Sequence, residues 1–239
     1  QKYEEIREFA TLAFTWPLER KDADPKAVAL FEEALAARAE WRDFPGFEAK
    51  IAGNVAGRRF AGTVTIDGKG QVAFADNDPS HQETVVDWVE AQLGSIVLHR
   101  LAKPQAPDRP RPVLRFAEGA GEHLFGPLLI FDGGKFASSY RVKDRQIMVV
   151  NRNMGKENMT ITVLDNDLNK EGEYLPRTYQ VQYWDAKTGK LARTETFQNR
   201  WQRVGTWDLP ALNQVATASD AGVVVRSFTL ADHVLLRKK

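Results

Sequence analysis

The apolar positions of the first forty residues recur with a helical period. They predict a helix over residues 3–13 and a second one that begins with Asp24 as N-cap and Pro25 at its first position. This second helix is expected to end near Trp41, so that residues 1–41 form a helical N-terminal segment. Its apolar face is predicted to comprise Val28, Phe31 and Leu35.

From Phe47 onward the apolar positions alternate with a period of two, which is typical of half-buried strands. Gly-containing turns such as those at 67–70 and 185–189 separate the segments, as expected of antiparallel hairpins. The predicted strands cover residues 47–55, 58–66, 70–75, 113–117, 127–132, 136–142, 145–151, 158–165, 175–185, 190–200, 207–218 and 222–231. We expect a large, strongly curved antiparallel sheet of about ten or eleven strands over residues 44–236, shaped as a half-barrel or open barrel.

One helix is predicted to interrupt the sheet at residues 80–101. Ser80 and Glu83 have the spacing of a capping box. The following apolar stripe, Val85, Val89, Leu93 and Ile96, is expected to pack on a sheet face. Residues 103–112 hold four prolines and read as a crossing loop. The whole chain, 1–239, is therefore expected to be a single α+β domain.

The composition of the chain argues against several classes of partner and chemistry. Lys and Arg number 33 against 32 Asp and Glu, so the net charge of +1 favours neither nucleic acid nor an anionic membrane as partner. No apolar run is long enough to span a bilayer, and the absence of cysteine excludes disulfides and thiol chemistry. The chain opens on Gln1 without a Met, which favours a mature exported protein, periplasmic or secreted, over a merely trimmed chain.

Catalytic and metal-binding signatures are weak throughout the sequence. No Ser lies in a nucleophile elbow, and no Gly-rich loop joins a strand to a helix as a phosphate cradle requires. The acidic stretch 165–171 resembles a calcium loop but lacks the Gly at its sixth position and has Pro176 at its twelfth. We therefore predict no catalytic residue, no metal site and no cofactor.

Two groups of residues are candidates for ligand binding. Asn151 and Arg152 follow an apolar strand, where an Arg at a cavity mouth could hold a carboxylate or phosphate; the alternative is that Arg152 pairs with an acidic neighbour. Aromatic residues of the 179–201 hairpin are candidates for a cavity wall, although ordinary cross-strand packing also explains them. These aromatic candidates are Tyr179, Trp184 and Trp201.

Four stretches together resemble a bacterial family, well represented in cyanobacteria, that is known only as a domain of unknown function. They are Phe44-Pro45-Gly46-Phe47, LGSIVLHR at 93–100, Tyr140-Arg141-Val142 followed by IMVVNRN at 147–153, and YWDAKTGKL at 183–191. The similarity covers about residues 26–236. The family implies no activity and therefore contributes no catalytic residue.

A looser resemblance concerns the C-terminal stretch. WQRVGTWDLP at 201–210 and FTLADHVLL at 228–236 look like the end of lipoprotein-carrier folds, in which a curved half-barrel binds acyl chains. This resemblance favours a non-enzymatic binding or carrier protein for an apolar ligand such as a lipid or acyl chain. A structural or protein-interaction module with a filled core is the alternative, and an enzyme of unknown class the second alternative.

Overall fold

The computed structural model describes residues 23–78, 80, 82–102, 113–119, 121–132 and 138–237. The helix predicted over residues 3–13 and the proline loop at 103–112 lie outside the described residues. Within them, helix α1 spans Pro25–Ala36, and helix α2 spans Asp87–Arg100 after a π-helical turn at Gln82–Val86. The strands are β1 Gly46–Val55, β2 Arg58–Asp67, β3 Val72–Asp76, β4 Val113–Phe116, β5 Leu128–Asp132, β6 Ser138–Lys143, β7 Gln146–Asn153, β8 Glu157–Leu168, β9 Tyr174–Asp185, β10 Leu191–Val204, β11 Trp207–Ser219 and β12 Gly222–Leu235.

These strands form one open antiparallel sheet in the order β3-β2-β1-β12-β11-β10-β9-β8-β7-β6-β5-β4. The first strand, β1, pairs with the last strand, β12. The sheet stays open, with β3 and β4 as its two edge strands. The predicted α+β class with a large antiparallel sheet is confirmed. The sheet has twelve strands where about ten or eleven were expected, because the short segments β3, β4 and β5 each form a complete ladder with a neighbour.

The turns follow the local chemistry that the sequence indicates. One carboxylate oxygen of Asp67 accepts hydrogen bonds from the amides of Lys69 and Gln71 at 2.8 and 2.9 Å. In the β9–β10 turn, Asp185 accepts from Thr188 N at 2.7 Å, and Gly189 has φ +64°, a left-handed conformation that glycine adopts without strain.

Helix α1 begins where the sequence predicts and ends earlier. The Asp24 carboxylate accepts from Lys26 N at 2.8 Å, which confirms it as the N-cap. The helix stops at Ala36 and not near Trp41, because the Ala37 carbonyl accepts from Tyr174 N at the start of β9. The buried face also differs from the prediction: Ala27 and Ala34 are fully buried, whereas Leu35 is 36% exposed.

Helix α2 presents the predicted stripe but not the predicted cap. Val85 in the π-helical turn and Val89 and Leu93 in α2 are fully buried, whereas the fourth predicted member, Ile96, is partly buried. The α-helix starts at Asp87 without a side-chain cap, so the capping box is wrong. The reason is local: the Ser80 hydroxyl donates to the Asp78 carboxylate at 2.7 Å, and the backbone enters the helix through the π-helical turn.

The contacts divide the chain into two compact units. The first comprises residues 1–38, 106–196 and 218–222, and the second residues 39–105, 197–217 and 223–239. In the first unit, α1 packs on β4, β6 and β7, and Phe31 makes edge-to-face contacts with Phe131 and Tyr140 at centroid distances of 4.9 and 5.0 Å. In the second unit, the α2 stripe packs in a filled core with Phe47, Val64, Ile66, Phe228 and Leu230.

Candidate functional site

The register of β5 to β9 places two rows of side chains on one face of the sheet in the first unit. We call this face the Arg152 face. The first row comprises Leu129, Tyr140, Val150, Ile161 and Val181. The second row comprises Phe131, Ser138, Arg152, Met159 and Tyr183.

Helix α1 covers one end of these rows, because Phe31 packs against Phe131 and Tyr140. Farther along, the apolar side chains are covered only in part. Val181 is buried, with 5% of its surface exposed. The partly exposed members of the rows on β7, β8 and β9 are Val150, Met159, Ile161 and Tyr183, and Tyr179 lies on the same face of β9, beyond the two rows, and is also partly exposed. The Arg152 face is therefore an apolar surface that this unit leaves partly open.

Arg152 lies at the polar margin of this surface. It is exposed, and it makes no hydrogen bond or ion pair within the part of the chain that the structure describes. Its cross-strand neighbours are Ser138 and Met159, neither of which carries a charge. An acidic partner, the alternative that the sequence left open, is thus not present among the described residues, and the guanidinium is available to an anion.

Met159 lies between Arg152 on β7 and Tyr183 on β9. A cluster of charged side chains surrounds Tyr183. The Arg193 guanidinium stacks over the Tyr183 ring, with Cζ 3.5 Å from the ring centroid. Arg193 pairs with Glu157 at 2.9 Å and with Glu195 at 3.5 Å. The Tyr183 hydroxyl lies 3.4 Å from the second Glu195 oxygen.

The titration behaviour of this cluster follows from burial and from its charges. Burial, together with the nearby carboxylate of Glu195, raises the pKa of Tyr183, so the phenol stays protonated at neutral pH. Burial opposes the charge of Arg193, but the hydrogen bond and charge of Glu157 outweigh it and raise the Arg193 pKa. The cluster therefore holds one cation and two anions.

Asn151 belongs to the opposite face of the sheet and has a structural environment. It is 1% exposed; its amide nitrogen donates to Ser139 Oγ at 3.1 Å, and its Oδ1 accepts from the Thr160 hydroxyl at 2.9 Å. These bonds link β6, β7 and β8 through side chains. Asn151 thus has both ends of its amide satisfied within the protein.

The two candidate tryptophans do not join Arg152 either. Trp184 pairs with Asn158 on the face that carries Asn151, and it is buried, with 4% exposed. Trp201 belongs to the second unit, where the Arg100 guanidinium lies 6.0 Å from its ring centroid. Of the predicted binding residues, Arg152 and Tyr179 lie on the same face of the sheet, but on β7 and β9 and in different rows.

Sequence reasoning did not select Met159, Glu157 or Arg193 as site residues. Each lies next to Arg152 or Tyr183 only through the pairing of β7 with β8 and the contacts of β10. The signal that could have found them is the period of two along each strand, combined with the hairpin register. Tyr183 carried part of that signal, because it lies two residues after Val181.

The acidic stretch 165–171 comprises the end of β8 and the turn that follows it, and Arg177 on β9 is a cationic partner of its carboxylates. Arg177 lies 3.4 Å from Asp165 and 3.7 Å from Asp167. Within the described residues, no group of three or more His, Asp or Glu side chains is placed to hold a metal ion.

We expect that millimolar calcium does not raise the melting temperature of the protein by several degrees. A thermal-shift assay on the wild type and Asp165→Asn measures this, and a calcium-induced rise that the substitution abolishes would contradict the prediction.

A shallow surface depression of about 290 Å³ lies in the second unit, at the end of β2 and β3. Its lining is mixed, with the carboxylates of Asp76 and Asp78 near the Phe60 ring. It contains none of the residues that the sequence indicated. The depression is too open to the solvent to enclose an apolar ligand.

The family described as Protein of unknown function (DUF3386) matches residues 22–236. The chain belongs to this family. The resemblance predicted over residues 26–236 is therefore confirmed, and the description of the DUF3386 family names no activity. No curated protein matches the chain significantly.

Among solved structures, the chain is similar to a LolA superfamily protein from Nitrosomonas europaea, NE2245. The identity is 8%, the match covers 89% of this chain and 94% of that chain, and the TM-score is 0.30. A TM-score of 0.30 is too low to support an argument about function. In the described part of the chain, no helix has the length and hydropathy needed to cross a membrane.

Proposed function

We propose that this DUF3386 member is a non-enzymatic binding or carrier protein for an apolar ligand with an anionic group, such as a fatty acid or another acyl lipid. The observation that carries the proposal is the exposed Arg152, which has no partner among the described residues, beside the partly exposed Met159 on one sheet face. A free cation next to an open apolar surface matches an amphiphile whose head is negative.

The apolar rows supply the affinity in this proposal. Val150, Ile161 and Met159 offer a continuous surface on two adjacent strands, and Tyr179 and Tyr183 extend it onto β9. Burial of an acyl chain contributes about 0.8 kcal/mol per CH₂ group. Binding should therefore strengthen with chain length until the surface is covered.

The cellular setting is part of the same proposal. A carrier of acyl lipids is useful where such molecules must cross an aqueous space, and we place the protein in an exported compartment, periplasmic or secreted.

The Arg152→Ala variant tests the anchor with two fluorescent ligands of equal length, one with a carboxylate and one with an alcohol head. Because Arg152 is exposed, solvent screening limits its contribution to about 1 kcal/mol, so we expect about a fivefold loss for the carboxylate and little change for the alcohol. Titration by fluorescence measures both dissociation constants.

Arg200→Ala is the matched control, since Arg200 is also an exposed arginine on a strand. It should leave both dissociation constants unchanged. Equal losses for the two ligands in Arg152→Ala would exclude Arg152 as the head-group anchor.

A structural or protein-interaction module is the second candidate, and the filled core of the second unit favours it. There Val85, Val89, Leu93 and Val97 are at most 1% exposed and pack in one apolar cluster with residues of the sheet. If neither amphiphile binds the wild type, this module becomes the better account of the chain.

A further inference from the structure

We infer that the ligand of the Arg152 face has a zwitterionic head group, with a phosphate or carboxylate and an ammonium group. This inference rests on the proposed function and specifies the chemistry of the head group. It follows from the arrangement of charges around Met159, where a positive and a negative site lie side by side at the edge of the apolar rows.

The positive site is Arg152. Its guanidinium has no ion pair within the described residues, so its full charge is available. An arginine in this state offers a fork of N–H donors that fits a phosphate or carboxylate. Arg152 would therefore bind the phosphate or carboxylate of the head group.

The negative site is the cluster of Glu157, Glu195 and Arg193. Two carboxylates and one guanidinium leave a net charge of −1. Among the described residues, the side-chain contacts of Glu157 use only Oε1, and 43% of the side chain is exposed, so the second carboxylate oxygen can lie against an added cation. Because the Arg193 guanidinium already occupies a face of the Tyr183 ring, an incoming ammonium group would meet the carboxylate of Glu157.

The spacing of the two sites suits one small head group. Met159 lies directly opposite Arg152, and Glu157 lies two residues before Met159 on the same face of β8. Such diagonal cross-strand neighbours have separations of about 7–8 Å, which flexible side chains reduce further. A phosphate and an ammonium joined by two carbons can contact both sites at once.

The apolar rows fix the orientation of such a ligand. Beyond Met159 and away from the charged cluster, Ile161 and Val150 continue the face without any charge. The acyl chain would lie over these residues while the head group stays at the Arg152–Glu157 end. A purely anionic head would gain the contact with Arg152 but would be repelled by the net negative cluster.

The experiment compares lysophosphatidylcholine, lysophosphatidic acid and monoacylglycerol with the same acyl chain, each below its micelle-forming concentration, by isothermal titration calorimetry. For the wild type, we expect lysophosphatidylcholine to bind about two- to fivefold more tightly than lysophosphatidic acid, as exposed charge pairs contribute. Glu157→Gln should abolish or reverse this preference, because it removes the negative site and releases Arg193. Glu48→Gln, an exposed glutamate on β1, is the control and should keep the preference.

Failure of this inference and failure of the proposed function give different results. If the wild type binds lysophosphatidic acid as tightly as lysophosphatidylcholine, or if Glu157→Gln keeps the preference, the zwitterionic head group is excluded while lipid binding stands. If none of the three lipids binds, the carrier function itself is excluded. Thermal melts of each variant verify that the substitution leaves the fold intact.

Discussion

Replacing Leu93 by Ala should lower the free energy of unfolding by about 2–5 kcal/mol, the range for large-to-small changes in a packed core. Leu93 lies in α2, is fully buried, and belongs to the filled core of the second unit. Its neighbours in the stripe, Val89 and Val97, are equally buried, so the surroundings cannot close the space that the substitution leaves. Urea unfolding followed by circular dichroism measures the loss.

Leu98→Ala is the matched control, since Leu98 lies in the same helix but is 61% exposed. The same chemical change there should alter stability by less than about 0.5 kcal/mol. A loss of that small size for Leu93→Ala would mean that the stripe does not support the core, and the packing described for α2 would be wrong.

Asn151→Ala should destabilise the protein by about 2–4 kcal/mol, because it removes two buried hydrogen bonds at once. Ser139 Oγ would lose the donor that it accepts from, and the Thr160 hydroxyl would lose its acceptor. Both residues are buried, with 2% and 8% exposed, so water cannot easily replace the lost partners.

A comparison with the adjacent residue, Arg152, distinguishes the structural role of Asn151 from a role in ligand binding. Arg152→Ala should change the free energy of unfolding by less than about 0.5 kcal/mol, because Arg152 is exposed and makes no bond within the described residues. The expected pattern is therefore a stability loss at Asn151 and a binding loss at Arg152. A stable Asn151→Ala variant would contradict the hydrogen-bond row, and a strongly destabilised Arg152→Ala variant would show that Arg152 has a structural role.

Local physical chemistry explains which elements could be predicted. The Asp24 N-cap, the alternation of Phe60, Val64 and Ile66, and the turn at Asp185 depend on residues close in sequence. Such signals located all twelve strands to within a few residues and found both described helices, although they placed the start of α2 too early. They could not give the end of α1, which depends on the hydrogen bond from Tyr174 to Ala37.

The sequence by itself determined the elements, the antiparallel class and the family, and it singled out Arg152 as a cation at the end of a strand. Only the tertiary structure decided which residues share a face with it. Asn151 and Arg152 are neighbours in sequence but point to opposite sides of β7, where one is hydrogen-bonded in the interior and the other is exposed. Met159, Tyr183 and Glu157 join the site because strand register, set by pairing between distant segments, selects the neighbours of each side chain.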